Sequence, residues 1–330
     1  MSKTNLEGYK VLVTGGAGFV GSHLSETLIN KGCRVRILDN FMTGHRENIS
    51  HLLKLDSVEF IEGDIRDPQS CLKAADEVDI VFHEAAQINP VRAVEHPLFD
   101  FDINARGTLE LLEACRKKDV KKVIFASTNV YANPKYIPID ENHPIDLLSP
   151  YAAAKLSGEA YCIVYYNTYK IETVRLRYTN VYGPRQRSTK SESGVITIFI
   201  ERVLKGLRPL IFGDGEQTRD FVYVSDVVQA NILAAESTRS QGEVFNIGFG
   251  EETSINTLAN IILKIAGRED LAPEYGPGRA ADFRRCLVDI TKARKVLGFN
   301  PTITLEEGLK KTIDWSKRCN RQAKVRPAES

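Results

Sequence analysis

At 330 residues the chain is long enough for one large α/β unit or two domains, with a substantial core in either case. Apolar residues make up 42% and charged residues 26%, the balance of an ordinary globular protein, and the formal net charge is only +1. That charge supplies no electrostatic case for a nucleic acid or an anionic membrane as partner.

The stretch Met1 to Lys10 is polar and lacks a signal-peptide core, and no apolar run reaches membrane-spanning length. Six scattered cysteines, with no C-x-x-C pair and no ligand-like histidine spacing, read as reduced thiols and give no metal site. A cytoplasmic protein is expected.

In chain order, Lys10 to Thr14 is a β-branched run ending in Gly15-Gly16-Ala17-Gly18-Phe19-Val20-Gly21, with a helical pattern from about Ser22 to Asn30. Strand, glycine turn and helix start together make an anion site, because free amides and the helix dipole favour a pyrophosphate. The glycine cluster alone is equally an ordinary tight turn. The next strand, Arg34 to Leu38, ends at Asp39, eighteen residues past Gly21, where a carboxylate accepts the ribose hydroxyls of NAD and repels the 2′-phosphate of NADP. Arg34, Arg36 and Arg46 nearby argue the other way.

Val58 to Gly63 reads as a third strand, followed by Asp64 and Ile65, and Asp79 to His83 as a fourth, followed by the small Ala85 and Ala86. One long helix, Pro97 to Lys118, carries Asn104, and Lys122 to Ala126 is a fifth strand ending at Ser127. Ser149 then caps a helix that starts at Pro150 and runs to Tyr169. It places Tyr151 and Lys155 four apart on one face, where an ammonium favours the phenolate and prepares a general base. By itself Y-x-x-x-K is an accident common to helices. Thr173 to Arg177 is a sixth strand, and this alternation implies a doubly wound parallel sheet with ligands at the carboxyl ends of its strands. Gly15, Asp39, Asp64, Ala85 and Ser127 all fall at such ends, which favours the functional reading over coincidence.

Beyond Tyr182 the rhythm loosens. A polar loop spans Gly183 to Gly194, and helices are expected at Val195 to Lys205, Ser225 to Ala235, Ile255 to Ala266, Thr291 to Leu297 and Leu305 to Lys317. Short strands are expected within Leu210 to Val224 and at Val244 to Gly248. Arg219 and Arg279 are candidates for phosphate binding or, equally on composition, solvent-facing arginines.

These motifs in combination resemble the extended short-chain dehydrogenase/reductase family, and within it the nucleotide-sugar 4-epimerases of the UDP-glucose/UDP-galactose type. The resemblance is carried by T-G-G-x-G-F-x-G, L-D-N at 38–40, G-D-I-R-D at 63–67, H-x-A-A-Q at 83–87 and S-x-x-V-Y at 127–131. It continues through S-P-Y-x-x-x-K at 149–155, R-Y-x-N-V-Y-G-P-R-Q at 177–186 and G-D-G-x-Q-T-R-D-F-V-Y-V at 213–224. It implies a Rossmann-type NAD-binding domain over about 1–180, a smaller interleaved substrate-binding lobe over 181–317, and a disordered tail over 318–330. Tyr151 is implied as the acid/base on the sugar 4-hydroxyl, Lys155 as its tuner on the nicotinamide ribose, and Ser127 as a partner of the reacting hydroxyl. Gly15, Gly18, Phe19, Val20, Gly21, Asp39, Asn40, Asp64, Ile65, Ala85, Ala86 and Asn104 are implied to bind NAD together with Tyr151 and Lys155. Asn180, Val195, Arg219, Arg279, Asp282 and Cys286 are implied to meet the UDP-sugar, with Ser127. The family is usually homodimeric through the Asn104 and Tyr151 helices.

Cys286 falls where a large residue restricts such enzymes to plain hexoses, so its small side chain implies acceptance of N-acetylated sugars; a buried core cysteine is the alternative. Glu84 departs from the apolar residue or glutamine expected there. Dehydratases and decarboxylases of this type carry an acid two positions after the Ser127 equivalent, and here that position is Asn129. A UDP-glucuronate 4-epimerase stays open, because Arg185 and Arg187 could meet a sugar carboxylate. A non-catalytic NAD-binding sensor is disfavoured by the presence of Tyr151, Lys155 and Ser127 together.

Overall fold

The computed structural model describes residues 4–129, 131, 133–187, 194–278 and 283–325, the last four of these by backbone alone. Its strands are β1 (Lys10–Thr14), β2 (Arg34–Asp39), β3 (Val58–Glu62), β4 (Ile80–His83), β5 (Lys122–Thr128) and β6 (Glu172–Tyr178). They continue as β7 (Asn180–Tyr182), β8 (Leu210–Phe212), β9 (Thr218–Tyr223), β10 (Val244–Ile247), β11 (Glu252–Ser254) and β12 (Glu274–Gly276). The helices of the first half are α1 (Phe19–Asn30), α2 (Arg46–Ile49), α3 (Pro68–Ala75), α4 (Pro90–Glu95), α5 (Pro97–Phe101), α6 (Gly107–Lys117) and α7 (Pro150–Tyr169). Those of the second are α8 (Val195–Leu204), α9 (Val224–Glu236), α10 (Ile255–Ala266), α11 (Thr291–Leu297) and α12 (Leu305–Val325).

Seven parallel strands form the main sheet in the order β10-β6-β5-β4-β1-β2-β3. The strands β1, β2, β4, β5 and β6 are buried along nearly their whole length because helices cover both faces, while the edge strand β3 is partly exposed. Val11 and Val13 of β1 join one core with Leu24 and Leu28 of α1 and Val227 of α9, while Leu12 between them joins the opposite core with Leu111, Cys115 and Cys162. The second lobe has its own core around Tyr182, Phe199, Ile211, Phe221, Leu258 and Leu309. A small β11-β9-β7 sheet and the β12-β8 pair support it. The two parts interleave, since β10 leaves the lobe to pair with β6. No described helix is long and apolar enough to cross a membrane.

Three departures from the sequence expectation have local causes. The single helix expected from Pro97 to Lys118 is divided by a π-helical turn at Asp102–Arg106, into which Asn104 is set. The segment between β4 and that turn forms α4, with Asn89 Oδ1 accepting from the Val91 and Arg92 amides and Pro90 at the first position. The last helix continues to Val325 instead of ending at Lys317, so part of the expected tail is helical.

Packing of α7 on β5 depends on Gly158. A Cβ there would lie 2.6 Å from Phe125 Cζ. Gly158→Ala is expected to cost roughly 1–3 kcal/mol by overpacking, read as a shift in the urea midpoint at unchanged slope. An unchanged midpoint would show that the Phe125 ring can give way.

Candidate active site

One cleft of about 1250 Å³ runs along the carboxyl edge of the main sheet, lined by Gly15, Gly18, Phe19, Val20, Gly21, Asp39, Asn40, Gly63, Asp64 and Ile65 at one end. Ala85, Ala86, Ser127, Thr128, Tyr151, Lys155 and Asn180 continue that wall. Gly15 has φ 68°, and a Cβ on it would meet the Ala85 backbone at 2.8 Å, so β1 and β4 close together only around glycine. The α1 N-terminus behind it carries no side-chain cap and no acid in its first turn, which leaves its amides and dipole to an incoming anion.

Asp39 is held at the β2 end by two amides: Ala17 N–H donates to Oδ2 at 2.9 Å and Phe41 N–H to Oδ1 at 2.8 Å. Burial raises its pKa above the usual carboxylate value, and those amides pull it back. Asn40 Nδ2 donates to Asp64 Oδ2 at 2.8 Å, and the Arg66 guanidinium holds Asp64 down at about 2. Of the arginines that argued for a 2′-phosphate, Arg34 is exposed at the start of β2, at the opposite end of the strand from Asp39. Arg36 is buried against Glu59 and the Ala74 and Asp76 carbonyls, and Arg46 lies over the Phe41 ring. An uncapped helix start, a tight glycine turn and a held carboxylate at the next strand end fit a dinucleotide.

At the other end, Ser149 Oγ accepts from Ala152 N–H at 3.2 Å and starts α7, as its sequence requires. Tyr151 and Lys155 therefore reach the cleft together. The expected depression of the tyrosine pKa is absent. Burial pushes Tyr151 up to about 12, with a Thr128 hydrogen bond working against it. The larger change is in Lys155 itself, which is 2% exposed, sits 4.3 Å from the Phe125 ring centroid and is brought down by burial to about 8. Glu84 is the strongest influence favouring its charge. That glutamate accepts from Tyr178 Oη at 2.8 Å and is itself raised to about 7 by burial. Ser127 Oγ donates to Glu159 Oε1 at 2.6 Å.

Several expected residues lie elsewhere. Asn104 does not face the cleft: its amide donates to Gln87 O and Asp100 Oδ1, each at 2.9 Å, and its Oδ1 accepts from Gln87 N–H at 3.0 Å. It thereby pins the segment that follows Ala86. Val195 opens α8, whose neighbours Gly194 and Ile198 line the cleft. Arg219 is buried, donating to the Thr218 and Phe283 carbonyls with its guanidinium 4.0 Å from the Phe283 ring. Cys286 is 1% exposed and outside the cleft lining, and its Sγ accepts from Asn129 Nδ2 at 2.9 Å. Arg279 and Asp282 lie outside the described residues. Sequence reading missed Thr128, Tyr178 and Thr179, although the first adjoins Ser127 and the others sit in the R-Y-x-N motif. It also missed Glu201, Arg202, Lys205 and Leu207 at the mouth, which no motif marks.

Comparison with known proteins agrees with this geometry. Residues 11–248 match the model of the NAD dependent epimerase/dehydratase family. A protein of Methanocaldococcus jannaschii is 48% identical over 314 residues, covering 94% of this chain and 99% of its own. The structure of UDP-glucose 4-epimerase from Thermotoga maritima with UDP-glucose superposes with a TM-score of 0.89 at 41% identity, over 94% of this chain and 99% of that one. The Thermus thermophilus UDP-glucose 4-epimerase in complex with NAD gives 0.85 at 40% identity, over 93% and 99%. The chain belongs to the NAD dependent epimerase/dehydratase family.

Proposed function

We propose that this protein interconverts the carbon-4 epimers of a UDP-sugar, UDP-glucose and UDP-galactose with the N-acetylated pair, through a 4-keto intermediate and with NAD bound. The observation that carries this reading is the meeting of Tyr151, Lys155 and Ser127 on one cleft wall that runs on into the dinucleotide cradle. Bound there, NAD would supply a hydride acceptor for carbon 4 and, once reduced, the donor for the return step. The Gly15 to Gly21 turn would hold its pyrophosphate and Asp39 its adenosine ribose.

The protein's own groups handle the proton. Tyr151 Oη takes it from the 4-hydroxyl and gives it back. A phenol near 12 is a reluctant base, so a neighbouring cation is needed, and below about pH 8 Lys155 is one. As pH rises through that value its charge is lost.

Asn129 cannot carry the proton that dehydration or assisted decarboxylation asks for, and its amide is turned to Cys286. Arg185 is paired with Glu26 at 2.6 Å and Arg187 with Glu47 at 3.7 Å, and neither lines the cleft, which gives a sugar carboxylate no support there. Cys286, buried outside the cleft lining, does not itself widen the sugar site and supports its reading as a core cysteine. Five buried free thiols fit a reducing, cytoplasmic setting.

A homodimer is proposed through α4, α5 and α7. These helices pack on one another and leave Val94, Leu98, Phe101, Tyr161 and Val164 exposed, Leu98 by 80%.

Three outcomes are expected. Tyr151→Phe keeps the ring and loses the base, so turnover of UDP-galactose falls by at least roughly 10²–10⁴-fold while NAD still binds; near-normal turnover would remove Tyr151 from the chemistry. The unaltered protein binds NAD in strong preference to NADP, and Asp39→Ala weakens NAD and narrows the gap in calorimetric titrations; tighter binding of NADP refutes the assignment. Leu98→Glu places a charge on the apolar face and converts a dimer to a monomer in sedimentation, whereas an unaltered mass moves the interface elsewhere.

A further inference from the structure

Between the dinucleotide cradle and the reacting wall stands a carboxyl group that the mechanism above leaves unused. Glu84 follows the last residue of β4, and a Cβ on Gly15 would lie 3.0 Å from its carbonyl carbon, so it adjoins the pyrophosphate turn. Its side chain reaches the other way. Oε1 accepts from Tyr178 Oη at 2.8 Å, and since β5 lies between β4 and β6, that bond bridges the end of β5. The phenol is oriented from behind. Asn231 of α9, fully buried, donates from Nδ2 to Tyr178 Oη at 2.7 Å and to the Val227 carbonyl at 3.0 Å. Tyr178 therefore gives its one hydrogen to Glu84, and the carboxyl is held as an acceptor.

The other carboxyl oxygen is left to the cleft. Glu84 lines the cavity and is only partly buried, and its Oε2 takes no hydrogen bond among the described residues. Burial favours the neutral acid, while the Tyr178 bond and the Lys155 charge favour the carboxylate. A dinucleotide with its pyrophosphate at the Gly15 to Gly21 turn and its adenosine ribose at Asp39 would run its other half along this stretch toward Tyr151. That half changes charge in the reaction. The nicotinamide ring is a cation when oxidised and neutral when reduced.

We propose that Glu84 poises the bound cofactor, its carboxylate favouring the oxidised, cationic nicotinamide over the reduced, neutral one. The inference rests on the NAD reading of the cleft and adds which redox form the site prefers. Lys155 on the same wall acts in the opposite sense, since an ammonium repels a cationic ring. With Lys155 alone, the wall would favour the reduced cofactor and with it the 4-keto sugar. The carboxylate offsets that bias, so the reduced state is short-lived and the hydride returns before the ketone is lost. The proton still moves between the 4-hydroxyl and Tyr151, and Glu84 takes no part in its transfer.

The test uses the full chain without sugar, so that it does not depend on turnover. The protein is equilibrated at about pH 8, on the carboxylate side of Glu84, with an equimolar excess of NAD and NADH. Free nucleotide is removed, and the bound forms are separated and counted after denaturation. Glu84→Gln keeps the size of the side chain and an acceptor for Tyr178, and loses the charge. The bound oxidised-to-reduced ratio is expected to fall by about tenfold in this variant, the effect of one partly screened charge. An unchanged or higher ratio overturns the proposal. Glu84→Leu removes charge and acceptor together and should give a similar fall. A fall with leucine but none with glutamine would assign the effect to the Tyr178 bond instead of the charge, and also overturns it. Should one variant fail to fold, the direction of change in the other decides. On addition of UDP-galactose, the fraction of bound cofactor found reduced, read from its absorbance, should rise in both variants. If the unaltered protein takes up neither nucleotide, the NAD reading itself falls and the proposal with it. If it takes up both but interconverts no UDP-sugar, the 4-epimerase reading falls while the bound ratio still decides the role of Glu84.

Discussion

The seven-residue parallel ladder between β5 and β6, from Lys122↔Glu172 to Thr128↔Tyr178, is the constraint on which the reacting wall depends. It sets Ser127 beside Arg177 and Thr128 beside Tyr178, and the crossover between the two strands carries α7. A one-residue slip would turn each of these side chains to the opposite face of the sheet. The helix comes close because Gly158 lets it settle on Phe125, the residue two before Ser127 and the one over which Lys155 lies. Height, spacing and tilt of the tyrosine relative to the serine are thus set by backbone pairing and one missing side chain.

Burial then sets the electrostatics of that wall. It raises Tyr151 and Glu84 and lowers Lys155, always toward the neutral form, because a dry surface disfavours charge of either sign. Burial thus moves Lys155 and Glu84 toward each other in pKa and Tyr151 further from neutrality. Glu84 places a titratable carboxyl within electrostatic reach of the lysine.

Much of this was legible in the sequence because it follows from backbone rules. β-branched runs ending in glycine or aspartate mark strands that stop at one edge, and Ser149-Pro150 marks the start of α7. What was not legible depends on three-dimensional surroundings. Period alone does not distinguish a π-turn within Pro97 to Lys118 from continuous helix, and Asn104 reads as a ligand until its amide is seen tied to Gln87. Y-x-x-x-K announces an ammonium near a phenol but not how dry the site is, and the sign of the tyrosine shift follows from the dryness. Glu159 and Arg177 are eighteen residues apart, and only strand register brings them under Ser127.

The return of β10 to the main sheet, after the chain has already built most of the second lobe, limits how this molecule can move. Two bodies joined by a single strand of polypeptide can swing apart like a clam. Here the chain crosses between sheet and lobe more than once, and one crossing is stitched into the sheet by the β10–β6 ladder. Any hinge between the halves must therefore bend several chain segments at once. The α8 side chains Ile198, Glu201 and Arg202 thus line the cleft from a lobe that is tied to the sheet at more than one point.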